Sequence, residues 1–380
     1  MSSSIAWLDS RRQLCIGDHL AQAHHPALSI PWGSWSEADE EELHSWPTWS
    51  PGGRRVASFR VARARGTGCH VRVTENDGVS AAEVAELDGR LPIYLQWHPA
   101  GREISMLTQA GDTLRLDRAS VDELGPTTTR LSGSLLFFEQ TRDHLVAFVG
   151  EERGPRLAVV DRDGLRHDLA GPPGNFCAPV VLGDEVIYVV TSGPTQPARL
   201  LASNIHGGAP RELAEVSGLA ALVGCPARRR LAYSIDPDGT GKSYRGVRIL
   251  DPVDGSDEAV SDLPVVAFVW SSQGDALIVA ERTEVGTIKW HHVGLDGFSR
   301  ELVELLPTRD LRFYLRFFEQ FASSHSLVDA SGDHLLVAGG VLGRDDPGGT
   351  PRIWRVGLHD QEVDELTDGT FAVYSPRTGS

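Results

Sequence analysis

The side chains best suited to chemistry gather between positions 319 and 325. Glu319, Gln320, Ser323, Ser324 and His325 follow or interleave with Phe313, Tyr314, Phe317, Phe318 and Phe321 in the run LRFYLRFFEQFASSHSL. A carboxyl, an amide and an imidazole in one short stretch can supply general acid and base groups where a pocket perturbs their ionisation. The aromatics recur closer to helical than to alternating spacing, which predicts a helical insertion over 311–327. Such an insertion suits a ligand platform, with Glu319, Gln320 and His325 as polar contacts, or a hydrophobic plug that touches no ligand.

A second group lies upstream. Pro31 to Trp49 holds Trp32, Trp35, Trp46 and Trp49, with the acidic run Glu37-Ala38-Asp39-Glu40-Glu41-Glu42. Loop tryptophans are frequent anchors in recognition of proteins or sugars, so Trp32, Trp35 and Trp46 are candidate docking residues; the acidic run reads as a solvated loop. His44 and Trp46 immediately precede an apolar strand pattern, and Tyr94 and Gln96 occupy the matching place one repeat later. These four are expected to line a central channel.

Other motifs carry less. The 14 histidines include the adjacent pairs His24-His25 and His291-His292. Neighbours on a strand point to opposite faces, so neither pair converges on one metal. Asp238-Gly239-Thr240-Gly241-Lys242-Ser243 resembles a phosphate loop, but the motif needs a glycine at 236, where Asp236 stands. A strand pattern rather than a helix follows it, so a hairpin loop is expected. Cys15, Cys69, Cys177 and Cys225 form no CxxC pair, which leaves a zinc ribbon or redox motif without support.

The elements that must position these residues come from a repeat. Trp49-Ser50-Pro51-Gly52-Gly53-Arg54-Arg55-Val56-Ala57 is followed by Trp97-His98-Pro99-Ala100-Gly101-Arg102-Glu103-Ile104-Ser105 and by Trp270-Ser271-Ser272-Gln273-Gly274-Asp275-Ala276-Leu277-Ile278. An apolar anchor, a Pro/Gly/Asp turn and an alternating apolar run make a β-hairpin. Weaker copies place anchors at Phe138, Val181, Val223, Val328 and Tyr374, at intervals of 41 to 58 residues. That is the length of one four-stranded propeller blade. The last hairpin is half complete at Tyr374, and Ser4–Leu8 and Gln13–Ile16 read as its missing strands. The expectation is one all-β β-propeller domain over 1–380. Eight blades are expected, or seven if the weak repeats fail, closed by a composite blade that uses both termini and leaves no free sheet edge.

The Trp-Ser-Pro-Gly-Gly-Arg-Arg-Val-Ala and Trp-Ser-Ser-Gln-Gly-Asp-Ala-Leu-Ile runs resemble the repeat of TolB-type and dipeptidyl peptidase IV N-terminal-type propellers. The resemblance spans nearly the whole chain, with three or four repeats matching well, and it implies a fold rather than a function. In the peptidases of this type a hydrolase domain follows the propeller. Here no GxSxG nucleophile elbow is found, so a serine peptidase role is not carried over. The related propeller of oligogalacturonate lyase holds a metal by histidines and a glutamine, and that ligand motif has no residue-by-residue match here. No cofactor is expected; a divalent metal in the channel is the minority alternative.

Composition sets the outer limits. With 380 residues, 41% hydrophobic and 23% charged, the chain has the make-up of an ordinary globular protein. Its net charge of −16 argues against nucleic acid. No apolar run approaches the roughly 18 residues of a membrane span, and the first residues lack a signal-peptide core. A cytoplasmic location is expected. The functional expectation is a non-catalytic recognition or scaffold module for a protein or peptide. The alternative is an enzyme, a lyase, hydrolase or cyclase, acting on a small molecule in the channel.

Overall fold

The computed structural model describes residues 3–18, 42–62, 68–78, 80–87, 89–122, 127–169, 177–191, 197–239, 244–344 and 349–378. They divide into two compact units. One comprises Met1–Arg130, Leu302–Tyr314 and Ser324–Ser380; the other comprises Leu131–Glu301 and Leu315–Ser323.

The first unit begins with β1 (Ser3–Leu8) and β2 (Leu14–Asp18). Two four-stranded meanders follow: β3 (Glu42–Trp49), β4 (Arg55–Ala62), β5 (Gly68–Glu75) and β6 (Ala81–Glu86), then β7 (Leu91–Trp97), β8 (Glu103–Ala110), β9 (Thr113–Ser120) and β10 (Thr128–Gly133). The second unit repeats the plan with β11 (Leu136–Gln140), β12 (His144–Glu151), β13 (Gly154–Asp161) and β14 (Arg166–Asp168), then β15 (Val180–Leu182), β16 (Glu185–Thr191), β17 (Ala198–Asn204) and β18 (Arg211–Val216). It continues through β19 (Leu219–Gly224), β20 (Leu231–Asp236), β21 (Tyr244–Leu250), β22 (Asp257–Trp270), β23 (Ala276–Arg282) and β24 (Ile288–Gly294). β22 serves two sheets. Its first half pairs with β21 and its second half with β23.

The chain returns through β25 (Ser299–Pro307), α1 (Arg309–Arg316) and α2 (Phe318–Phe321) to β26 (His334–Val341), β27 (Arg352–Gly357), β28 (Val363–Asp368) and β29 (Phe371–Thr378). β29 pairs antiparallel with β1, with Ile5 opposite Tyr374 and Leu8 opposite Phe371, and β1 pairs with β2. A three-stranded sheet is thus built from both ends of the sequence.

The core lies between successive sheets, and β16 shows why its sequence is apolar throughout. Val186, Tyr188 and Val190 pack with Val146, Leu157 and Val159 of the preceding sheet. Ile187 and Val189, facing the other way, pack with Leu222, Leu231 and Tyr233 of the following one. A strand covered on both faces needs no polar alternation. Fourth strands carry the opposite character. β14 is exposed along its length, and β6, β18 and β28 are mostly exposed or half-buried, with carboxylates along each, as suits an outer edge that must not recruit another strand.

The repeated turn has one chemistry. Gly53, Gly101, Gly274 and Gly332, each four residues after its anchor, have φ of 65°, 70°, 64° and 82°. Each donates its N–H to the carbonyl of the residue just after the anchor: Ser50, His98, Ser271 and Asp329. That left-handed conformation is what glycine supplies without steric cost. The anchors couple neighbouring sheets. Trp97 Nε1 donates to the Thr48 carbonyl at 2.8 Å, Trp270 Nε1 to Val223 at 3.0 Å and Trp49 Nε1 to Val373 at 3.3 Å.

Candidate functional site

The candidate residues that the structure describes fall into two clusters, one in each unit. In the first unit, His44 and Trp46 lie inside β3 rather than ahead of it. The alternation breaks there because the register with β4 shifts between Ser45 and Thr48, and Trp46 takes φ 54°. This left-handed residue before Pro47 interrupts the apolar alternation that marks a strand. Trp46 is buried, tilted against Phe313 and edge-on to Phe371. His44 is wholly buried, with Nδ1 2.9 Å from Ser58 Oγ. Burial, followed by the charges of Arg72 and Arg60, pushes its pKa down to about 3, so the ring is neutral. Tyr94 and Gln96 are buried in β7.

His325 is 2% exposed and surrounded by aromatic rings. The centroids of Phe371, Trp46, Tyr94 and Tyr314 lie 6.0, 6.3, 6.3 and 6.4 Å from its own. Its Nδ1 is 2.7 Å from Ser324 Oγ and its Nε2 3.1 Å from Thr48 Oγ1. Tyr94 OH donates to Ser324 Oγ at 2.9 Å. Thr48 donates to the Trp46 carbonyl at 3.0 Å. The structure thus joins Trp46, Tyr94 and His325 through Thr48 and Ser324. Thr48 carried no signal in the sequence.

In the second unit, α2 and its flanks seal strand edges. Gln320 is buried, and its amide oxygen accepts from the Phe138 N–H at 2.9 Å while its NH2 donates to the Phe138 carbonyl at 2.8 Å. Phe138 sits on β11, the first strand of its sheet, so Gln320 completes that open edge. Glu319 accepts from the Ala178 N–H at 3.4 Å, ahead of β15, and from the Leu222 N–H on β19. Burial drives its pKa up to about 8, opposed by these N–H donors and by Cys177. The Cys177 thiol and the Tyr244 phenol are pushed well above their usual ranges by burial and by the nearby Glu319 carboxyl. Phe318 packs edge-on to Phe268 and Tyr244.

Trp32 and Trp35 lie outside the described residues, as do the acidic run before Glu42 and positions 240–243. Among the described residues no three His, Cys, Asp or Glu side chains are grouped to hold a metal ion. All four cysteines are buried and free. No described helix is long and apolar enough to cross a membrane.

No family model matches this sequence, and no curated protein matches it. Solved structures do. A prolyl endopeptidase superposes with a TM-score of 0.58 at 11% identity, over 89% of this chain and 51% of its own. The β-propeller domain of the Trilobed protease from Pyrococcus furiosus gives 0.53 at 12% identity, over 87% of this chain and 99% of its own. The acylaminoacyl peptidase of Pyrococcus horikoshii gives 0.52 at 13%, over 88% and 53%. This chain therefore spans about half the length of those two peptidases. The shared fold is the β-propeller.

Proposed function

We propose that this chain is an eight-bladed propeller, one blade composed of both sequence ends, that serves as a recognition or scaffold module for a protein or peptide. The blade count follows from taking β29–β1–β2 as one blade and splitting the run from β19 to β28 at β22 and β25. Pairing of β29 with β1, and the Trp49 bond to Val373 on β29, support the composite blade. One observation carries the functional reading. The polar groups of the insertion, Glu319 and Gln320, are committed to backbone groups of the protein itself. A plug built this way stiffens a scaffold, and a rigid propeller presents loops from every repeat. Trp32 and Trp35 are the proposed partner anchors. The role needs no cofactor, nucleic acid or membrane, and its proposed setting is the cytoplasm.

The test is affinity capture of the tagged full chain from its native lysate, read by mass spectrometry. A stoichiometric protein partner lost in the Trp32→Ala/Trp35→Ala variant supports the reading. A monomer without a partner overturns it. The enzyme reading has one observation in its favour, the hydroxyl–imidazole chain at Ser324.

A further inference from the structure

The protons on the Tyr94–Ser324–His325–Thr48 chain can be assigned from its network. Thr48 has one hydroxyl hydrogen. The Trp46 carbonyl oxygen, 3.0 Å away, can only accept, so that hydrogen points to it. Thr48 Oγ1 must then accept from His325, which places the N–H on Nε2. A neutral imidazole carries one N–H, so Nδ1 presents its lone pair. Ser324 Oγ, 2.7 Å away, donates to that lone pair. Tyr94 OH in turn donates to Ser324 Oγ. Every bond in the chain runs one way.

Two features fix this order. The φ of 54° at Trp46 turns its carbonyl toward Thr48, and strain of this kind concentrates at functional positions. The four rings around His325 hold the imidazole plane. Ser324 differs from the rest of the chain. It is only partly covered and follows the exposed Ser323. A serine that donates to a fixed imidazole lone pair and still reaches solvent is the arrangement of an activated nucleophile.

We infer that Ser324 is a nucleophilic serine, with His325 as its general base and Thr48 as the residue that sets the tautomer, and that it takes acyl esters. Ser324 Oγ forms a bond to the acyl carbon as its proton moves to His325 Nδ1. The ester C–O bond breaks, and the alcohol leaves with that proton. Water then attacks the acyl-serine, gives a proton to the same nitrogen and releases the carboxylic acid, while Ser324 regains its hydrogen. Tyr94 OH, 2.9 Å from Oγ, is a hydroxyl donor beside the reacting oxygen.

This inference goes beyond the recognition reading and does not depend on it. The test uses the full chain and an alkyl fluorophosphonate, which forms a Ser–O–P bond with loss of fluoride. The expected result is one adduct per chain on the peptide that carries Ser324, absent in Ser324→Ala. Thr48→Val keeps the shape but removes the acceptor for Nε2–H. It should label about 10- to 100-fold more slowly, the lower part of the roughly 100- to 10,000-fold that a general base contributes, because the base stays and only its tautomer is released, and with a displaced pH profile, while its thermal melt shows a folded protein. No adduct at Ser324, or equal labelling of Thr48→Val and the parent across pH, overturns the inference. Either result leaves partner capture through Trp32 and Trp35 to be decided by its own experiment.

Discussion

Gln320 pairs with the backbone of Phe138 as a neighbouring strand would, one amide group accepting from the N–H at 2.9 Å and the other donating to the carbonyl at 2.8 Å. The two residues are 182 positions apart. A single side chain thus supplies the ladder that the first strand of this sheet lacks.

Removing that side chain leaves a buried donor and a buried acceptor together. Each such group costs about 1–3 kcal/mol when its partner is deleted. Gln320→Leu, which fills much of the same volume, is expected to lose about 2–4 kcal/mol in chemical denaturation. Gln320→Glu should also destabilise at neutral pH, because it sets a carboxylate oxygen against the Phe138 carbonyl. A loss within the range of an ordinary surface substitution would show that water replaces the amide, and that the edge is open rather than sealed.

The neighbouring Glu319 makes stability depend on pH in a direction unusual for a carboxyl. Its folded pKa is raised, from an ordinary 4.5 to about 8. Between those values the folded state holds a proton that the unfolded chain releases. The stabilisation is therefore complete below the unfolded value and is lost as pH rises through the folded one. A one-proton difference changes stability by about 1.4 kcal/mol per pH unit. Equilibrium unfolding of the parent and of Glu319→Gln at pH 5, 6.5 and 8 should show the parent losing stability relative to the amide as pH rises. Parallel curves would mean that the N–H groups of Ala178 and Leu222 hold an ionised carboxylate.

What could be read from the sequence was what repeats. Trp49, Trp97 and Trp270 announced hairpins because each is followed, four residues on, by a glycine that the turn requires in a left-handed conformation. The aromatics at 313, 314, 317, 318 and 321 carry the periodicity of the helices found over Arg309–Arg316 and Phe318–Phe321. Contacts that occur once left no such trace. Nothing local connects Gln320 to Phe138, Glu319 to Ala178 or His325 to Thr48, since each pair meets only after the sheets have formed. Trp46 misled for a different reason: its left-handed backbone breaks the alternation by which a strand is recognised.

His44 gives the acid side of the pH curve. Burial and two guanidinium groups hold its pKa at about 3, below the ordinary 6.5. The unfolded chain takes up a proton that the folded ring refuses, so stability is present above about pH 6.5 and is lost as pH falls toward 3. His44→Gln retains an amide to meet Ser58 and cannot be protonated. It should flatten this part of the curve by about one proton, roughly 1.4 kcal/mol per pH unit. An unchanged acid slope in the variant would assign the loss to other groups.

The anchor tryptophans should matter as stitches as well as core residues. Trp97 donates to Thr48 at 2.8 Å and Trp270 to Val223 at 3.0 Å, in each case the first strand of the preceding sheet. Trp49 reaches Val373 at a longer 3.3 Å. Tryptophan to phenylalanine keeps most of the apolar volume and deletes the N–H. In a repeat architecture stability is close to a sum of units and nearest-neighbour interfaces, so a lost stitch weakens one interface. Trp97→Phe and Trp270→Phe are expected to cost about 1–3 kcal/mol, the scale of a buried hydrogen bond with its packing change. Trp49→Phe, with the longer bond, should cost less. Thermal melts of the three variants rank them directly, and a ranking with Trp49→Phe as the most damaging would show that ring packing, not the indole N–H, couples the sheets.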